Sequence, residues 1–366
     1  MADYNPFLRG SHPVGTRSYE WTDTSRSRTL PVDVWYPATK QHLGEDLSDE
    51  TRDRYEVMPG MPEVTQDAVK DANAAEGPFP LIIFSHGFGG EKRQSTFFCT
   101  HLASHGFVVA AMDHVGNTTA DMLASAGAPE DPNAISTFIV DRPLDASFVI
   151  DRMLSGDAGV SVDAGRIGMS GHSFGGWTTL MTLARDDRVR AALPLAPAGG
   201  VSQDGEGNPV STPLADALKL DWSRVVPTLY LVADLDSVLP LSSMQDLHNQ
   251  TKNHRSVVLL NADHFHFCDR VEESHDGFKM MMGMMAAAAQ GEEAESMTQM
   301  VELMKPSSEL CPGEDAYAFV CGLGLAHFDT HLRQIPGAKK MINGDLVALL
   351  AERDINVAEL VAIKTS

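Results

Sequence analysis

The sequence predicts a mostly parallel α/β sheet with helices on both faces. Antiparallel strands lie at its amino-terminal edge and a helical extension at its carboxy terminus. Three observations predict this. First, short continuous apolar runs alternate with helix-patterned segments from residue 81 to residue 260, the order of a sheet whose strands are buried on both faces. Second, Leu30-Pro31-Val32-Asp33-Val34-Trp35-Tyr36 alternates apolar and polar ahead of them, the period of a half-buried antiparallel strand. Third, the strand-like Arg166-Ile167-Gly168-Met169 turns sharply through Ser170-Gly171-His172-Ser173-Phe174-Gly175-Gly176 into a helix-patterned run. The 366 residues, 43% of them hydrophobic, suffice for one large core. A single domain over 1–366 is expected, with its core at about 14–270.

Taken in order, Ser18–Trp21 and Leu30–Tyr36 read as strands. Residues 39–78 form an acidic excursion with a short helix near Val64–Lys70. Leu81–Phe84 is a buried strand, Ser95–His105 a helix closed by Gly106, and Val108–Met112 a strand. Pro143–Leu154 is a helix whose apolar set is Leu144, Phe148, Ile150 and Met153. Ile167–Met169 is a strand, and the helix after Ser173 runs to about Arg185. Ala191–Leu195 and Thr228–Val232 are strands, Ser242–Thr251 a helix and Ser256–Leu260 the last strand. Beyond residue 268 only helical patterns are expected. Residues 276–304 hold eight of the chain's 18 methionines. Methionine fills irregular apolar space, which suits either core filler in a hairpin packed on the sheet or a cap lining an acyl pocket.

The formal charge of −22 repels nucleic acid and anionic membrane surfaces, so neither is an expected partner. No apolar run approaches the ~20 residues of a membrane span. No basic-then-apolar leader opens the sequence, so a cytoplasmic location is expected. Cys99, Cys268, Cys311 and Cys321 are scattered without a C-x-x-C pair, so free thiols are the default. A Cys268 bridge to Cys311 or Cys321 stays open. The sequence leaves the oligomeric state open as well.

The turn around Ser173 is where the chemistry is expected. Glycines two before and two after the serine remove side chains that would collide in a tight strand-to-helix turn. The hydroxyl then stands at the carboxyl edge of a sheet, where such sheets bind ligands. A serine needs a base within hydrogen-bond reach, and the base needs a carboxylate to orient it. Both are expected after later strands, in the order Ser, Asp, His. Strand Thr228–Val232 runs into Ala233-Asp234-Leu235-Asp236, where Asp236 is the favoured acid and Asp234 the competitor, a holder of the turn. Strand Ser256–Leu260 runs into Asp263-His264-Phe265-His266-Phe267-Cys268-Asp269, where His264 is the favoured base and His266 the alternative. Were that run a strand, His264, His266 and Cys268 would share a face, a weak metal pattern with no second ligand cluster; no metal is expected. Two backbone N–H donors must hold an oxyanion. Phe174, opening the helix after the serine, supplies one. Phe88, in the loop Ser85-His86-Gly87-Phe88-Gly89-Gly90, supplies the other. That loop lacks the Gly-Lys-Ser/Thr ending of a phosphate loop. His86, Gly87 and His172 are read as supports around these groups.

Val34-Trp35-Tyr36-Pro37, Phe84-Ser85-His86-Gly87-Phe88-Gly89-Gly90, Arg142-Pro143-Leu144-Asp145 and Gly171-His172-Ser173-Phe174-Gly175-Gly176 occur in that order. They resemble the platelet-activating-factor acetylhydrolase-like and dienelactone-hydrolase-like branch of the α/β-hydrolases, over roughly residues 14–270. The resemblance implies a carboxylic-ester hydrolase with a Ser-His-Asp triad, oxyanion donors at Phe88 and Phe174, a small-molecule ester substrate and no cofactor. The chain departs from the pattern in places. Dienelactone hydrolases proper use cysteine where Ser173 stands. The eukaryotic acetylhydrolases carry the acid after the strand equivalent to Ala191–Leu195, and here that end reads Ala196-Pro197-Ala198. The acid therefore moves to Asp236, as in bacterial esterases and polyester hydrolases of the wider group. Other readings that fit the same residues are a lipid-selective acetylhydrolase or phospholipase, a polyester or phthalate ester hydrolase, and a hydrolase-fold binding protein without catalysis.

Overall fold

A computed structural model describes residues 4–57, 60–125, 131–203, 206–252 and 254–361. Ten strands form one sheet: β1 Val14–Asp23, β2 Arg28–Pro37, β3 Val69–Lys70, β4 Phe79–Ser85, β5 Val108–Met112, β6 Val162–His172, β7 Val189–Leu195, β8 Thr228–Ala233, β9 His254–Leu259 and β10 Val357–Glu359. Their order across the sheet is β10-β9-β8-β7-β6-β4-β5-β2-β1-β3. The six strands from β9 to β5 are parallel neighbours. β2 runs antiparallel to both β5 and β1, and β10 runs antiparallel to β9.

Side chains on a strand alternate between faces, and β4 uses both. Ile82 and Phe84 enter one core with Phe98 and Leu102 of α1 (Thr96–Ser104). Leu81 and Ile83 enter the other. α2 (Thr119–Ala124) is tied to the loop after β4, Thr119 donating to the carbonyls of Gly89 and Gly90, and α3 (Ala134–Leu154) covers the second core through Val149, Ile150 and Met153. The helix starts nine residues before the expected Pro143 and runs through that proline. Its inward stripe is Arg142, Asp145, Ala146, Val149, Ile150 and Met153, a regular helical face that two charges disguise; Leu144 and Phe148 are only half-buried. α4 (Phe174–Leu183) is buried along its whole length. α5 (Pro213–Ala217) and α6 (Leu241–Gln250) follow.

The excursion corrects one expectation. Val64–Lys70 is not a helix: Glu63–Thr65 pairs antiparallel with Arg54–Glu56, and β3 pairs with β1. β-branched Val64, Thr65 and Val69 favour extended backbone. Gln66 locks it, accepting from Trp35 Nε1 at 2.7 Å and donating to Asp53 at 2.6 Å.

The extension after residue 270 divides in two. α7 (Val271–Ala288) and α8 (Glu292–Leu303) form a hairpin. Val271 and His275 are buried and Phe278 packs on Phe265, so α7 turns Met280, Met281, Met284 and Met285 outward, each at least 44% exposed. They are not core filler; Met304, after the hairpin's second helix, is by contrast buried. α9 (Gly313–Phe328) instead lies on the sheet, with Phe319, Leu323 and Leu325 fully buried in the first core. α10 (Pro336–Ile342) and α11 (Leu346–Ala351) lead to β10, a strand not expected from the sequence. It is three residues long, and its pairing with β9, about 100 residues earlier, carries no local signal. Among the described residues, no helix is long and apolar enough to cross a membrane.

Burial makes stability pH-dependent. Burial pulls His101 of α1 down from 6.5 to about 3, and its Nε2 bonds the Pro6 carbonyl at 2.9 Å. The unfolded chain therefore takes up this proton first. The contribution is complete above about pH 6.5 and is lost as pH falls toward about 3. Unfolding free energies at about pH 7 and about pH 5 should differ by about 2 kcal/mol less in His101→Gln than in the parent chain. Equal differences in the two chains would refute the assignment.

Candidate active site

Ser173 stands between the last residue of β6 and the first of α4 at φ 58°, ψ −119°. For a residue with a Cβ this left-handed geometry costs about 1–3 kcal/mol, which the surroundings must impose. They do so by bonds and by contact. The Ser173 N–H donates to Leu195 O at 2.9 Å, and its carbonyl accepts from Trp177 and Ala198 N–H at 3.1 and 3.0 Å. A Cβ on Gly175 would fall 1.8 Å from the Ser85 carbonyl oxygen, and one on Gly171 2.5 Å from the Gly175 carbonyl. The glycines thus let the turn press against the end of β4. Ser173 keeps 9% of its surface exposed.

β8 and β9 are adjacent and parallel, so the turns that follow them meet. Asp236 and His264, 28 residues apart, come together there: His264 Nδ1 lies 2.8 Å from Asp236 Oδ2. The other oxygen, Oδ1, accepts the N–H groups of Val238 and Leu239 at 3.0 and 2.7 Å. The carboxylate is therefore fixed before it meets the imidazole. Asp263 fixes the histidine backbone, accepting the His264 N–H, and also accepts the Ser237 N–H and hydroxyl. Asp234 points elsewhere and accepts the Ala262 N–H at 3.1 Å, a bond within the turn. His266 donates from Nε2 to Cys311 O at 3.0 Å and accepts at Nδ1 from the Asp263 N–H. His264 packs beside His172, ring centroids 4.4 Å apart, and His172 is the residue before Ser173.

The loop after β4 faces Ser173: a Cβ on Gly87 would touch Ser173 Cβ and His172 Nδ1, each at 3.4 Å. Phe88 and Phe174 are neighbours, their rings stacked at 6.4 Å. Phe174 opens α4, so its N–H is one of the helix's unpaired donors. Phe138 meets Phe88 and Trp177 meets Phe174, which makes an aromatic wall beside the serine. His86 donates from Nδ1 to Gly87 O at 2.7 Å and accepts the His114 N–H at Nε2. Burial, with Arg142 and His114 nearby, holds the His86 imidazole well below its usual range. Burial and His264 do the same to His172. Both rings are therefore neutral supports.

Beneath the loop lies a charged network built on the Arg142-Pro143-Leu144-Asp145 motif, for whose charged residues the sequence suggests no role. Arg142 is fully buried. Its guanidinium donates to the carbonyls of His86 and Gly87, to Ser85 Oγ, to Asn117 Oδ1 and to Thr178 Oγ1, and it lies 4.3 Å over the Phe174 ring. Burial lowers its pKa to about 9, Asp145 opposing, so it stays charged near neutral pH. Asp145 is also fully buried; it takes two bonds of 2.9 Å from Arg28 and one of 3.0 Å from His114 Nδ1, with Arg26 2.8 Å away. His114 Nε2 meets Ser85 Oγ at 2.9 Å. The signal in the sequence is the spacing: Arg142 and Asp145 stand three apart on the inward stripe of α3.

The run after β9 is a tight 3-10 turn, His264–Phe267, and not a strand that would put His264, His266 and Cys268 on one face. It sends His264 to Asp236 and His266 to Cys311, while Cys268 meets Gln94 and Asp269 caps α1 through the Thr96 and Phe97 N–H groups. These side chains do not converge on a common point. All four cysteines are free thiols.

Comparison with known proteins agrees with this architecture. Residues 16–150 match the family model for platelet-activating factor acetylhydrolase, isoform II. The chain is 32% identical over 196 residues to cutinase est1 of Thermobifida alba, a match covering 51% of this chain and 54% of that protein. It is 30% identical over 152 residues to the platelet-activating factor acetylhydrolase of Cavia porcellus, covering 32% and 35%. The chain thus spans about half the length, or less, of these curated relatives. The structure of a ferulic acid esterase from Streptomyces cinnamoneus superposes with a TM-score of 0.63 at 24% identity, covering 95% of this chain and 96% of that one. With the sheet order above, these likenesses establish the fold: the chain has the α/β-hydrolase fold.

Proposed function

We propose that the chain is a serine carboxylic-ester hydrolase. The observation that carries the proposal is the 2.8 Å bond between His264 Nδ1 and Asp236 Oδ2, beside a serine in a left-handed turn. In this reading Asp236 holds the proton on Nδ1, which leaves Nε2 of His264 to take the Ser173 proton. The Ser173 oxygen attacks the ester carbonyl, and the N–H groups of Phe88 and Phe174 stabilise the oxyanion. The C–O bond breaks, the alcohol departs with the proton from His264, and the acyl group stays on Ser173. Water then attacks the acyl-enzyme, giving its proton to His264; the acid leaves and Ser173 regains its hydrogen. The chain's own groups supply every proton transfer. The aromatic wall favours small to medium esters with an apolar acyl or aryl group. The names of the similar proteins, cutinase, acetylhydrolase and ferulic acid esterase, all belong to ester chemistry.

The test is a p-nitrophenyl ester series of rising acyl length, with labelling by a serine-directed phosphonate. Ser173→Ala should keep less than about a thousandth of the activity and take no label. A variant that retained more would remove Ser173 as nucleophile, and an unlabelled parent chain would favour the non-catalytic reading. A lipid-selective activity is the second reading, favoured by the exposure of Phe88, Met122, Leu123 and Val140 on the loop and on α2 and α3. It requires faster turnover on an aggregated phospholipid than on the same ester in monomeric form.

A further inference from the structure

Gln94 belongs to none of the motifs above. It lies in the turn before α1, and both ends of its side chain are held by partners that admit one assignment. The Gly87 N–H can only donate, so the atom 2.7 Å from it is the amide oxygen Oε1. The nitrogen Nε2 then faces His172 Nδ1 at 2.6 Å and Cys268 Sγ at 3.0 Å. An amide nitrogen only donates, so His172 Nδ1 is bare and the ring proton sits on Nε2. There it is donated to the main-chain carbonyl of His264 at 3.0 Å. The result is one directed chain: Gly87 N–H to Gln94, Gln94 to His172, His172 to the backbone of His264. The main chain of Gln94 adds a second tie, its carbonyl accepting the Asp269 N–H at 2.8 Å. The loop makes room for this side chain. A Cβ on Gly90 would lie 2.7 Å from Gln94 Oε1, and one on Gly87 3.6 Å from Nε2.

We propose that Gln94 is a positioning residue for ester hydrolysis: through its side-chain amide it sets the oxyanion loop and the backbone of the general base in one register. The proposal rests on the Ser173–His264–Asp236 reading. Phe88, the oxyanion donor, is one residue from the Gly87 N–H that Gln94 holds, and His264, the base, is one hydrogen bond from the ring that Gln94 orients. This amide joins the two groups that must meet the substrate together. Misplacement of either by about 1 Å costs about 100-fold in rate.

The experiment compares Gln94→Met, Gln94→Ala and Gln94→Glu with the parent chain on a short, soluble p-nitrophenyl ester. Met and Ala remove the side-chain bonds to Gly87, His172 and Cys268; kcat should fall about 10- to 100-fold at every pH while KM stays within about twofold. Glu differs by one atom and still accepts from Gly87, but it reaches His172 Nδ1 only through a shared proton. Its kcat should be nearest the parent value at low pH and fall away on a new basic limb as that proton is lost. A merely structural role would not create such a limb. Met and Ala variants with kcat within about threefold of the parent would overturn the proposal, as would a Glu profile parallel to the parent's. Phosphonate labelling of the parent chain separates the two readings. Labelled, active parent enzyme with indifferent Gln94 variants sinks Gln94 alone, whereas an unlabelled parent sinks the hydrolase reading beneath it.

Discussion

Asp236→Asn should lower kcat on a soluble ester by about 10³- to 10⁴-fold, and Asp234→Asn by less than about tenfold. The difference follows from which atoms are already engaged. Asp236 Oδ1 accepts two backbone N–H groups, from Val238 and Leu239. An asparagine at 236 must keep its oxygen there, because its amide nitrogen cannot accept. The nitrogen is then turned toward His264 Nδ1, where the carboxylate oxygen had stood at 2.8 Å. It donates, so Nδ1 must be bare and the imidazole proton moves to Nε2, the atom needed to receive the proton from Ser173. The fold survives and the base carries the wrong tautomer. Among the described residues, the side-chain bond of Asp234 is acceptance of the Ala262 N–H, which an asparagine oxygen can also perform. Its cost should be about 1 kcal/mol of stability or less. Steady-state kinetics and thermal unfolding of the two variants check this, and a larger kcat loss at Asp234 would exchange the two assignments.

The positions of Ser173, Asp236 and His264 are legible in the sequence because each closely follows an apolar run, and a parallel strand in this chain is an apolar run. Ile167–Met169, Thr228–Val232 and Ser256–Leu260 therefore locate the turns where side chains collect. What joins those turns is less legible. Gln94 acts across 78 residues on His172 and across 174 on Cys268, and no local pattern announces such a partner. β10 pairs with a strand about 100 residues away and is three residues long, below the length at which alternation can be read. The methionines of α7 mislead for the opposite reason. Their composition suggests a core, but helical phase places Met280, Met281, Met284 and Met285 on the face away from the residues that pack. In α3 the apolar set misleads: Leu144 and Phe148 are only half-buried, whereas Arg142 and Asp145 are among the most buried groups in the molecule.

That burial makes Arg142 the position where stability and activity should part most clearly. Arg142→Met should destabilise the fold by about 3–5 kcal/mol, because it leaves the carbonyls of His86 and Gly87, the Ser85 hydroxyl and Asn117 Oδ1 without their donor in a dry interior. It also leaves Arg26 and Arg28 as the remaining guanidinium groups near Asp145. Such a loss lowers the melting temperature by roughly 4–7 °C in a chain of this size. Arg142→Lys retains a positive charge above Phe174 but replaces a planar fork by a single ammonium. One ammonium cannot bond Ser85, His86, Gly87, Asn117 and Thr178 at once, so the loop that carries Phe88 loses part of its floor. The lysine chain should therefore recover much of the stability and little of the activity, with kcat down about 100-fold. Wild-type kcat in Arg142→Lys would show that the charge alone sustains the loop. Full stability in Arg142→Met would show that the buried acceptors find other donors, and the fork would then have no part in holding the site.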